Sequence, residues 1–396
     1  MKSVKKILAL VLAMLMVVTC FAACGGEKAP ETNNDDAKTI KIGVQGPLTG
    51  GAAQYGIAVA NAAKLAVEEI NAAGGINGTK LEVLTADDQA TPGDIAVNAY
   101  NNLVDNGMQI FLGTVTTGAG LDIVPLTAED NIFQLTPSAS GDKIIEAGDN
   151  CFQICFTDSN QGSRSAQYIA ENKIATKVAV IYDSADAYST GIYNNFKAEA
   201  ANRGLELVAE QAFQTGNKDF SAQVQACKAA GAELVFLPIY YTEASLILDK
   251  ANSIGYEPKF FGCDGLDGIL GIDGFDTSLA EGVMLLTPFA ADAADDATQK
   301  FVTAYKAKYN NEIPNQFAAD AYDGVYIIAE LLKKEGITAD MSASDICDKL
   351  KVAICADDFG YMGITGAGAA LTWDESGAVS KDPAAVIIEN GAYKSL

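Results

Sequence analysis

The hydrophobic residues of this chain lie in short apolar runs that alternate with stretches of helical periodicity. The runs typical of β-strands cover residues 38–45, 81–88, 108–113, 132–138, 177–183, 205–213, 234–240 and 258–265. The stretches typical of helices cover residues 54–73, 94–106, 124–130, a segment from Ser163, and residues 188–203, 220–230 and 243–254. Such strand–helix–strand repeats predict parallel sheets covered by helices on both faces. Because the repeat restarts near Ser163, the pattern predicts an α/β fold with two doubly wound parallel-sheet lobes.

The first residues have the pattern of a secretory signal. Three lysines precede an unbroken apolar run over residues 7–18. This run is shorter than the roughly 20 residues that span a bilayer. Phe21-Ala22-Ala23-Cys24 resembles the lipobox of bacterial lipoproteins, in which small residues precede a cysteine that receives lipid. We therefore expect a lipoprotein signal peptide over residues 1–23, lipidation of Cys24 and a flexible polar tether over residues 24–38.

The net charge excludes two classes of partner. The sequence has 27 basic and 51 acidic residues, and removing the three signal lysines changes the formal net charge from −24 to 24 − 51 = −27. Such a surface repels nucleic acid and anionic lipid, so we expect no nucleic-acid partner and membrane contact through the N-terminal lipid only. The roughly 370 residues that remain after the signal favour two domains over a single core.

The sequence contains no histidine, which argues against catalysis. Histidine-activated nucleophiles, imidazole bases and nearly all catalytic zinc sites are excluded. No nucleotide-binding glycine motif and no G-x-S-x-G elbow follows a predicted strand. The acidic, glycine-rich run over residues 264–276 lacks the spacing of a calcium-binding loop. We expect no enzyme activity, no cofactor and no metal.

The cysteines beyond Cys24 form no Cys-x-x-Cys pair; they are Cys151, Cys155, Cys227, Cys263, Cys347 and Cys355. An exported location permits disulfides, and Cys347 with Cys355 is the pairing that we favour. Buried free thiols are an equal alternative, because a large core does not need covalent links.

Six segments, taken in order, resemble one known family. They are GPLTGGAAQYG (46–56), AVEEINAAGGINGTKLEV (66–83), TPSAS (136–140), CFQICFTDSNQG (151–162), CDG (263–265) and AADAYDGV (318–325). Over residues 39–375 the chain resembles the branched-chain amino-acid-binding (leucine/isoleucine/valine-type) family of periplasmic solute-binding proteins, which serve ABC transporters.

The resemblance implies a type I periplasmic binding protein fold, a flytrap of two lobes joined by three crossovers. The crossovers are expected near Thr157, Pro288 and Gly366, so that residues 39–157 and 288–365 form one lobe and residues 158–287 and 366–396 the other. The implied function is that of a monomeric, lipid-anchored protein on a Gram-positive cell surface. It would capture a branched-chain or similar aliphatic amino acid by hinge closure and deliver it to ABC-transporter permease subunits.

Candidate binding residues follow the predicted strands, where ligands sit in such folds. An amino-acid carboxylate needs hydroxyls and backbone N–H groups at a helix N-terminus. The family places such groups at Thr117, with Thr116 as a near alternative, and at Ser138 and Ser140. Helix caps and turns are the alternative role for these hydroxyls.

The ligand ammonium needs a carboxylate, and Asp264 stands where the family commonly has an acidic residue. The usual residue there is the longer Glu, so the effect of Asp264 on ligand preference stays open. We expect four tyrosines to wall the cleft: Tyr55, Tyr188, Tyr240 and Tyr322. Tyr241 replaces Tyr240 if the strand ends one residue later, and Tyr322 has core packing as its alternative role.

Three other functions compete with this interpretation. The first is the same fold with another solute, such as an amide, a urea-like compound or an aromatic acid. The second is a ligand-sensing receptor domain. The third is an extracellular hydrolase, which needs an activated nucleophile that the sequence does not offer.

Overall fold

The computed structural model describes residues 39–396, so the predicted signal peptide, Cys24 and most of the tether lie outside the described residues. The strands are β1 Ile40–Gly46, β2 Leu81–Asp87, β3 Ile110–Leu112, β4 Gln134–Thr136, β5 Cys151–Gln153, β6 Lys177–Asp183, β7 Glu206–Phe213, β8 Leu234–Leu237, β9 Lys259–Gly262, β10 Met284–Thr287, β11 Ala384–Glu389 and β12 Ala392–Ser395. The α-helices are α1 Ala53–Ala72, α2 Asp94–Asp105, α3 Thr117–Glu129, α4 Asp142–Ile145, α5 Asp158–Glu171, α6 Ala187–Arg203, α7 Ser221–Ala229, α8 Tyr241–Ser253, α9 Asp296–Lys308, α10 Gln316–Lys334 and α11 Ala343–Ile354.

The first lobe is built on a five-stranded sheet in the order β2-β1-β3-β4-β5. All four neighbouring pairs are parallel, with Ile42 opposite both Val83 and Ile110. Strands β3, β4 and β5 are buried along their whole length, because helices cover both faces. The predicted doubly wound lobe is confirmed.

The second lobe is built on a seven-stranded sheet in the order β12-β11-β10-β9-β8-β6-β7. Its five strands from β6 to β10 are parallel. The chain then returns at its end as an antiparallel hairpin, in which β11 pairs with β10 and β12 pairs with β11. The strand pattern predicted the parallel part of this sheet but not the hairpin at its edge.

Helices α9, α10 and α11 lie between β10 and β11 in sequence but pack on the first lobe. The Tyr309 hydroxyl donates to the carbonyl of Asn61 in α1 at 2.7 Å. Gly324 of α10 packs against Leu112 of β3, where a Cβ would come within 3.0 Å of a Leu112 methyl. Each lobe is therefore discontinuous in sequence.

The third crossover lies later than the position predicted near Gly366. The segment after α11 remains on the first lobe, where Trp373 Nε1 donates to the Gln153 carbonyl at 2.7 Å and the Gln153 N–H donates to the Gly377 carbonyl at 2.9 Å. A buried ion pair between Lys381 and Asp320, 2.7 Å long, holds the end of this segment against α10. The chain therefore crosses to the second lobe between Lys381 and β11.

Of the two alternatives for the cysteines, free thiols are confirmed and a disulfide between Cys347 and Cys355 is wrong. All six cysteines in the described part of the chain are free thiols, and only Cys355 is partly exposed. Cys347 lies in α11 and Cys355 directly follows its last residue, eight residues along. At about 1.5 Å of rise per residue the two Cα atoms are roughly 12 Å apart, beyond the roughly 7 Å that a disulfide can bridge.

Within residues 39–396, no helix combines the length and the apolar character that crossing a membrane requires.

Candidate ligand-binding site

A small pocket lies between the two lobes, with an empty volume of about 220 Å³ that includes its open mouth. It is lined by Tyr55, Val115, Thr117, Ser138, Ser140, Tyr188, Tyr240, Asp264, Gly265 and Phe317. Most of these residues follow the carboxyl ends of parallel strands, where open α/β sheets place their ligands. Seven of the nine residues predicted to form a site are therefore brought together.

The first lobe contributes uncharged hydrogen-bonding groups. Thr117 is the first residue of α3, and its Oγ1 accepts hydrogen bonds from the N–H groups of Ser140 at 3.3 Å and Gly141 at 3.1 Å. Its hydroxyl proton therefore remains available to an acceptor. The N-terminus of α3 adds partial positive charge beside it. This half of the pocket suits a carboxylate.

The neighbouring Thr116 does not line this pocket. It precedes α3 in an extended conformation and makes no capping bond with its side chain. Its Oγ1 is buried and has no hydrogen-bond partner among the described residues. Of the two predicted alternatives, the structure therefore places Thr117 and not Thr116 at the candidate site.

The second lobe contributes the carboxylate of Asp264, of which only 4% is exposed. Its Oδ1 accepts a hydrogen bond from the Tyr188 hydroxyl at 2.6 Å and its Oδ2 accepts one from Gln161 Nε2 at 2.9 Å. Burial raises the pKa of Asp264 to about 7, although these two hydrogen bonds oppose the shift. A bound ammonium would favour the ionised form of this carboxyl.

A second buried acid, Asp158, was missed by the sequence reasoning. It is the first residue of α5, and its Oδ1 accepts a hydrogen bond from the Ser140 hydroxyl at 2.7 Å. Burial raises the pKa of Asp158, the Ser140 hydroxyl opposes this shift and the charge of Asp264 adds to it. Asp158 and Gln161 both belong to the CFTDSNQG segment, so their polar character within a recognised motif was the available signal.

Aromatic rings form the walls of the pocket. The Tyr188 and Tyr240 rings stack with centroids 4.9 Å apart and an interplanar angle of 16°. The Tyr55 ring packs against Phe317 at 4.4 Å, and its hydroxyl donates to the Gly265 carbonyl at 2.5 Å. Burial raises the pKa values of Tyr55, Tyr188 and Tyr240, which keeps these phenols neutral.

The alternative Tyr241 turns towards the first lobe instead. Its hydroxyl accepts a hydrogen bond from the Gln54 N–H at 3.2 Å, and its own N–H donates to the Tyr55 hydroxyl at 3.3 Å. Tyr240, the residue before α8, is the one that lines the pocket.

The structure does not place Tyr322 in the pocket. Its hydroxyl donates to Glu69 at 2.5 Å, and its ring packs against Phe301 with centroids 4.6 Å apart. Phe317, which lies five residues earlier in α10, lines the pocket instead. A single aromatic residue at a helical position does not reveal which face of the helix meets the cleft, so the sequence could not separate the two.

Gly265 is required by the close approach of its neighbours. A Cβ at this position would lie 2.7 Å from both the Ile239 carbonyl oxygen and the Tyr188 hydroxyl. The Gly265 N–H donates to that same hydroxyl at 2.9 Å. A larger residue would push Tyr188 away from Asp264.

Within residues 39–396, no group of three or more acidic or cysteine side chains is arranged to hold a metal ion. In the run over residues 264–276, Asp264 and Asp267 are buried while Asp273 and Asp276 are exposed, so its carboxylates do not converge.

Residues 39–361 match a family model described as periplasmic binding protein. The chain belongs to the periplasmic binding protein family. Members of this family are solute-binding proteins, and the two parallel-sheet lobes described above are the type I periplasmic binding protein fold.

Several relatives within the periplasmic binding protein family carry more specific names. Leu/Ile/Val-binding protein homolog 3 of Brucella melitensis is 35% identical over 309 residues, which cover 77% of this chain and 81% of that protein. The branched-chain amino acid transporter substrate binding protein LivJ of Streptococcus pneumoniae, solved in complex with isoleucine, is 30% identical with a TM-score of 0.81. That match covers 90% of this chain and 98% of LivJ.

A more distant structure shares only the fold. It is the solute binding protein of an ABC transporter from Rhodopseudomonas palustris, solved with 3,4-dihydroxybenzoic acid. It is 24% identical with a TM-score of 0.79, and the match covers 91% of this chain and 96% of that one.

Proposed function

We propose that this protein is the extracytoplasmic, lipid-anchored solute-binding protein of an ABC importer, and that it captures a branched-chain or similar aliphatic amino acid. The observation that carries the proposal is the pocket between the lobes, which the hydroxyls of Thr117 and Ser138 in the first lobe share with the carboxylate of Asp264 in the second. Ser140 also lines this pocket, but its hydroxyl donates to Asp158.

This arrangement matches the charges of a zwitterion. An α-amino acid carries its carboxylate and its ammonium close together, and both must be compensated once water is excluded. The hydroxyls and the N-terminus of α3 suit the carboxylate, and Asp264 suits the ammonium. The rings of Tyr55, Tyr240 and Phe317 offer apolar surface for an aliphatic side chain.

Contacts between the lobes support capture by hinge closure. Ser140 of the first lobe donates to Asp158 of α5 at 2.7 Å, and the Gln316 side chain donates to the Asp264 carbonyl at 3.2 Å. Each lobe holds half of the pocket, so a ligand that contacts both halves stabilises the closed arrangement by its differential affinity. The closed form would then be the one that the permease recognises.

The buried carboxylate of Asp264 argues against an aromatic acid as the cargo. A benzoate has a carboxylate but no ammonium, and it would leave buried Asp264 facing a ligand without a compensating charge. The names of the relatives also favour an amino acid, since both the Brucella protein and LivJ are named for branched-chain amino acids.

A binding screen tests the cargo. L-leucine, L-isoleucine and L-valine should each raise the melting temperature, because a ligand at a hundred times its dissociation constant adds about 2.7 kcal/mol to the free energy of unfolding. Two analogues serve as matched controls: 4-methylpentanoate, which is leucine without its ammonium, and benzoate. If either analogue binds as tightly as leucine in calorimetry, the zwitterion proposal is wrong.

A separate experiment tests the anchor. The protein should fractionate with membranes and incorporate radiolabelled palmitate, and Cys24→Ala should abolish both while leaving leucine binding unchanged. Cys20→Ala is the matched control, because Cys20 is the other cysteine near the predicted cleavage site and follows Thr19 rather than a small residue such as Ala23. Loss of labelling in that variant alone would contradict Cys24 as the lipidated residue.

A further inference from the structure

A second, larger pocket lies between the lobes beside the first. It encloses about 800 Å³, including its open mouth. Tyr240 lines both pockets, and Thr116, which lines the second, is adjacent in sequence to Thr117, which lines the first. The two pockets are therefore neighbouring compartments of one cleft. We refer to the second as the vestibule.

The vestibule is acidic on its second-lobe side. Its lining includes Asp183, Asp186 and Glu243, and none of its described lining residues is a lysine or an arginine. No salt bridge within residues 39–396 involves any of the three acids. Their charges therefore act on each other without a compensating cation.

The three carboxylates differ in the hydrogen bonds that they already accept within the protein. Asp183 accepts hydrogen bonds from the Ala185 N–H at 2.8 Å and from the Thr215 hydroxyl at 2.5 Å. Asp186 uses one oxygen to cap α6 through the Ser189 N–H at 3.2 Å. Burial raises the pKa of Asp186 to about 6, and the charges of Asp183 and Glu243 add to the shift. Asp186 and Glu243 therefore retain the capacity to bind a cation.

An independent observation comes from the opposite wall. Thr116 is 4% exposed and lines the vestibule, and its Oγ1 is buried without a hydrogen-bond partner among the described residues. An unpaired buried hydroxyl is costly, typically about 1–3 kcal/mol. A hydroxyl oxygen can accept a hydrogen bond from an ammonium that lies between the two lobes.

The rest of the lining is suited to a hydrocarbon chain. Pro92 of the first lobe and Phe213 and Ile239 of the second add apolar surface. The vestibule therefore offers both apolar surface for methylene groups and carboxylates for a cation. A long side chain with a terminal cation needs both kinds of group.

We propose that the vestibule binds the cationic end of a ligand side chain, so that the site also takes α-amino acids with a positively charged side chain. This inference rests on the proposed function, because the α-carboxylate and α-ammonium of such a ligand occupy the first pocket. Asp186 and Glu243 bind the distal charge, and Thr116 is an additional hydrogen-bond acceptor.

The test compares L-lysine with L-norleucine, which has the same carbon chain without the distal ammonium. Calorimetry should show that lysine binds about tenfold more tightly, the value of one charge-assisted hydrogen bond. In the double variant Asp186→Asn, Glu243→Gln this ratio should fall towards one, while norleucine affinity is unchanged. Asn at position 186 keeps an oxygen that can cap α6.

A double variant with the same loss of charge is the matched control. Glu129→Gln with Glu146→Gln changes two exposed acids outside the vestibule and should leave the ratio at about tenfold. The inference is overturned if norleucine binds as tightly as lysine to the unmodified protein, or if the vestibule variant keeps the ratio. If neither lysine, norleucine nor leucine binds, the proposed function fails as well.

Discussion

The two lobes contribute different chemistry to the cleft that they share. The first lobe offers hydroxyls and the N-terminus of a helix, none of which carries a formal charge. The second lobe offers a buried carboxylate held by Tyr188 and Gln161. The hydroxyls of the first lobe can form hydrogen bonds with water as well as with a ligand. The ionised carboxylate of the second lobe carries a cost of burial, which either a bound cation or a proton removes.

This difference indicates how the site discriminates. Under the proposed function, we expect the hydroxyl half to accept any small carboxylate, because hydroxyls and amides are adaptable donors. We expect the half that contains Asp264 to disfavour ligands without an ammonium, since they would leave an ionised Asp264 unpaired. Selectivity for an amine is therefore expected to depend mainly on the second lobe, and affinity for the acid group on the first.

Asp264→Asn should cause the largest loss, about 100-fold in leucine affinity, because truncating one partner of a buried charge pair typically costs about 2–5 kcal/mol. At pH 8 the ligand-free variant should also be more stable than the parent protein, since it no longer buries an ionised carboxyl. Calorimetry and thermal unfolding measure the two effects. Asp273→Asn, at an exposed position in the same region, is the control and should change neither.

Lowering the pH from 8 to 6 should weaken leucine binding by about tenfold. Burial raises the pKa of Asp264 to about 7, so the free protein at pH 6 holds a proton that must leave before an ammonium can bind. Proton release, measured by calorimetry in buffers of different ionisation enthalpy, should appear at pH 6 and vanish at pH 8. An affinity that does not change across this range would contradict ionised Asp264 as the ammonium partner.

The raised pKa of Asp264 also predicts how the stability of the ligand-free protein depends on pH. Between the ordinary pKa of an aspartate, about 3.9, and about 7, the folded state holds a proton that the unfolded chain has released. The contribution of Asp264 to the free energy of unfolding therefore falls as the pH rises through this window. The free energy of unfolding of the Asp264→Asn variant should therefore lack this part of the pH dependence, which thermal or urea unfolding at several pH values measures.

The pair Thr117→Val and Thr116→Val separates the two adjacent hydroxyls. Thr117→Val should weaken leucine binding by about fivefold to tenfold, because it removes a donor and leaves the N–H groups of Ser140 and Gly141 without their acceptor. Thr116→Val removes a hydroxyl that has no partner, so leucine affinity and stability should be maintained or improved. Calorimetry would contradict this assignment if the two variants behaved alike.

The smallest effects come from the tyrosines. Tyr188→Phe should weaken leucine binding by about threefold, because Asp264 loses a hydrogen-bond donor and its pKa rises further. Tyr322→Phe should leave leucine affinity unchanged and reduce stability by about 1 kcal/mol through the lost bond to Glu69. Weaker leucine binding by Tyr322→Phe would contradict the position of Tyr322 outside the pocket.

Local patterns of apolar and polar residues predicted the parallel sheets, and the resemblance to the family indicated most of the pocket. Thr117, Ser138, Ser140 and Asp264 follow predicted strands, but the resemblance selected them among other polar residues. Helix α3 begins at Thr117, earlier than the predicted start at residue 124, because two glycines in its first turn hide the periodicity.

The features that the sequence did not reveal depend on contacts between distant segments. Phe317 and Tyr322 share a helix, and only the packing of α10 on α1 decides which of them meets the cleft. The third crossover likewise follows from the hydrogen bonds of Gln153 with Trp373 and Gly377, which are more than 200 positions away in sequence. Local sequence patterns do not predict contacts between segments so far apart.

The antiparallel hairpin at the edge of the second sheet has a consequence for any shortened form of the protein. Strand β10 pairs with β9 on one side and with β11, which begins at Ala384, on the other. A polypeptide cut before Ala384 would expose the backbone N–H and C=O groups of an apolar strand to other molecules, and exposed edges of this kind promote aggregation. Affinity tags and crystallisation truncations are therefore safer in front of Thr39 than inside the last strands.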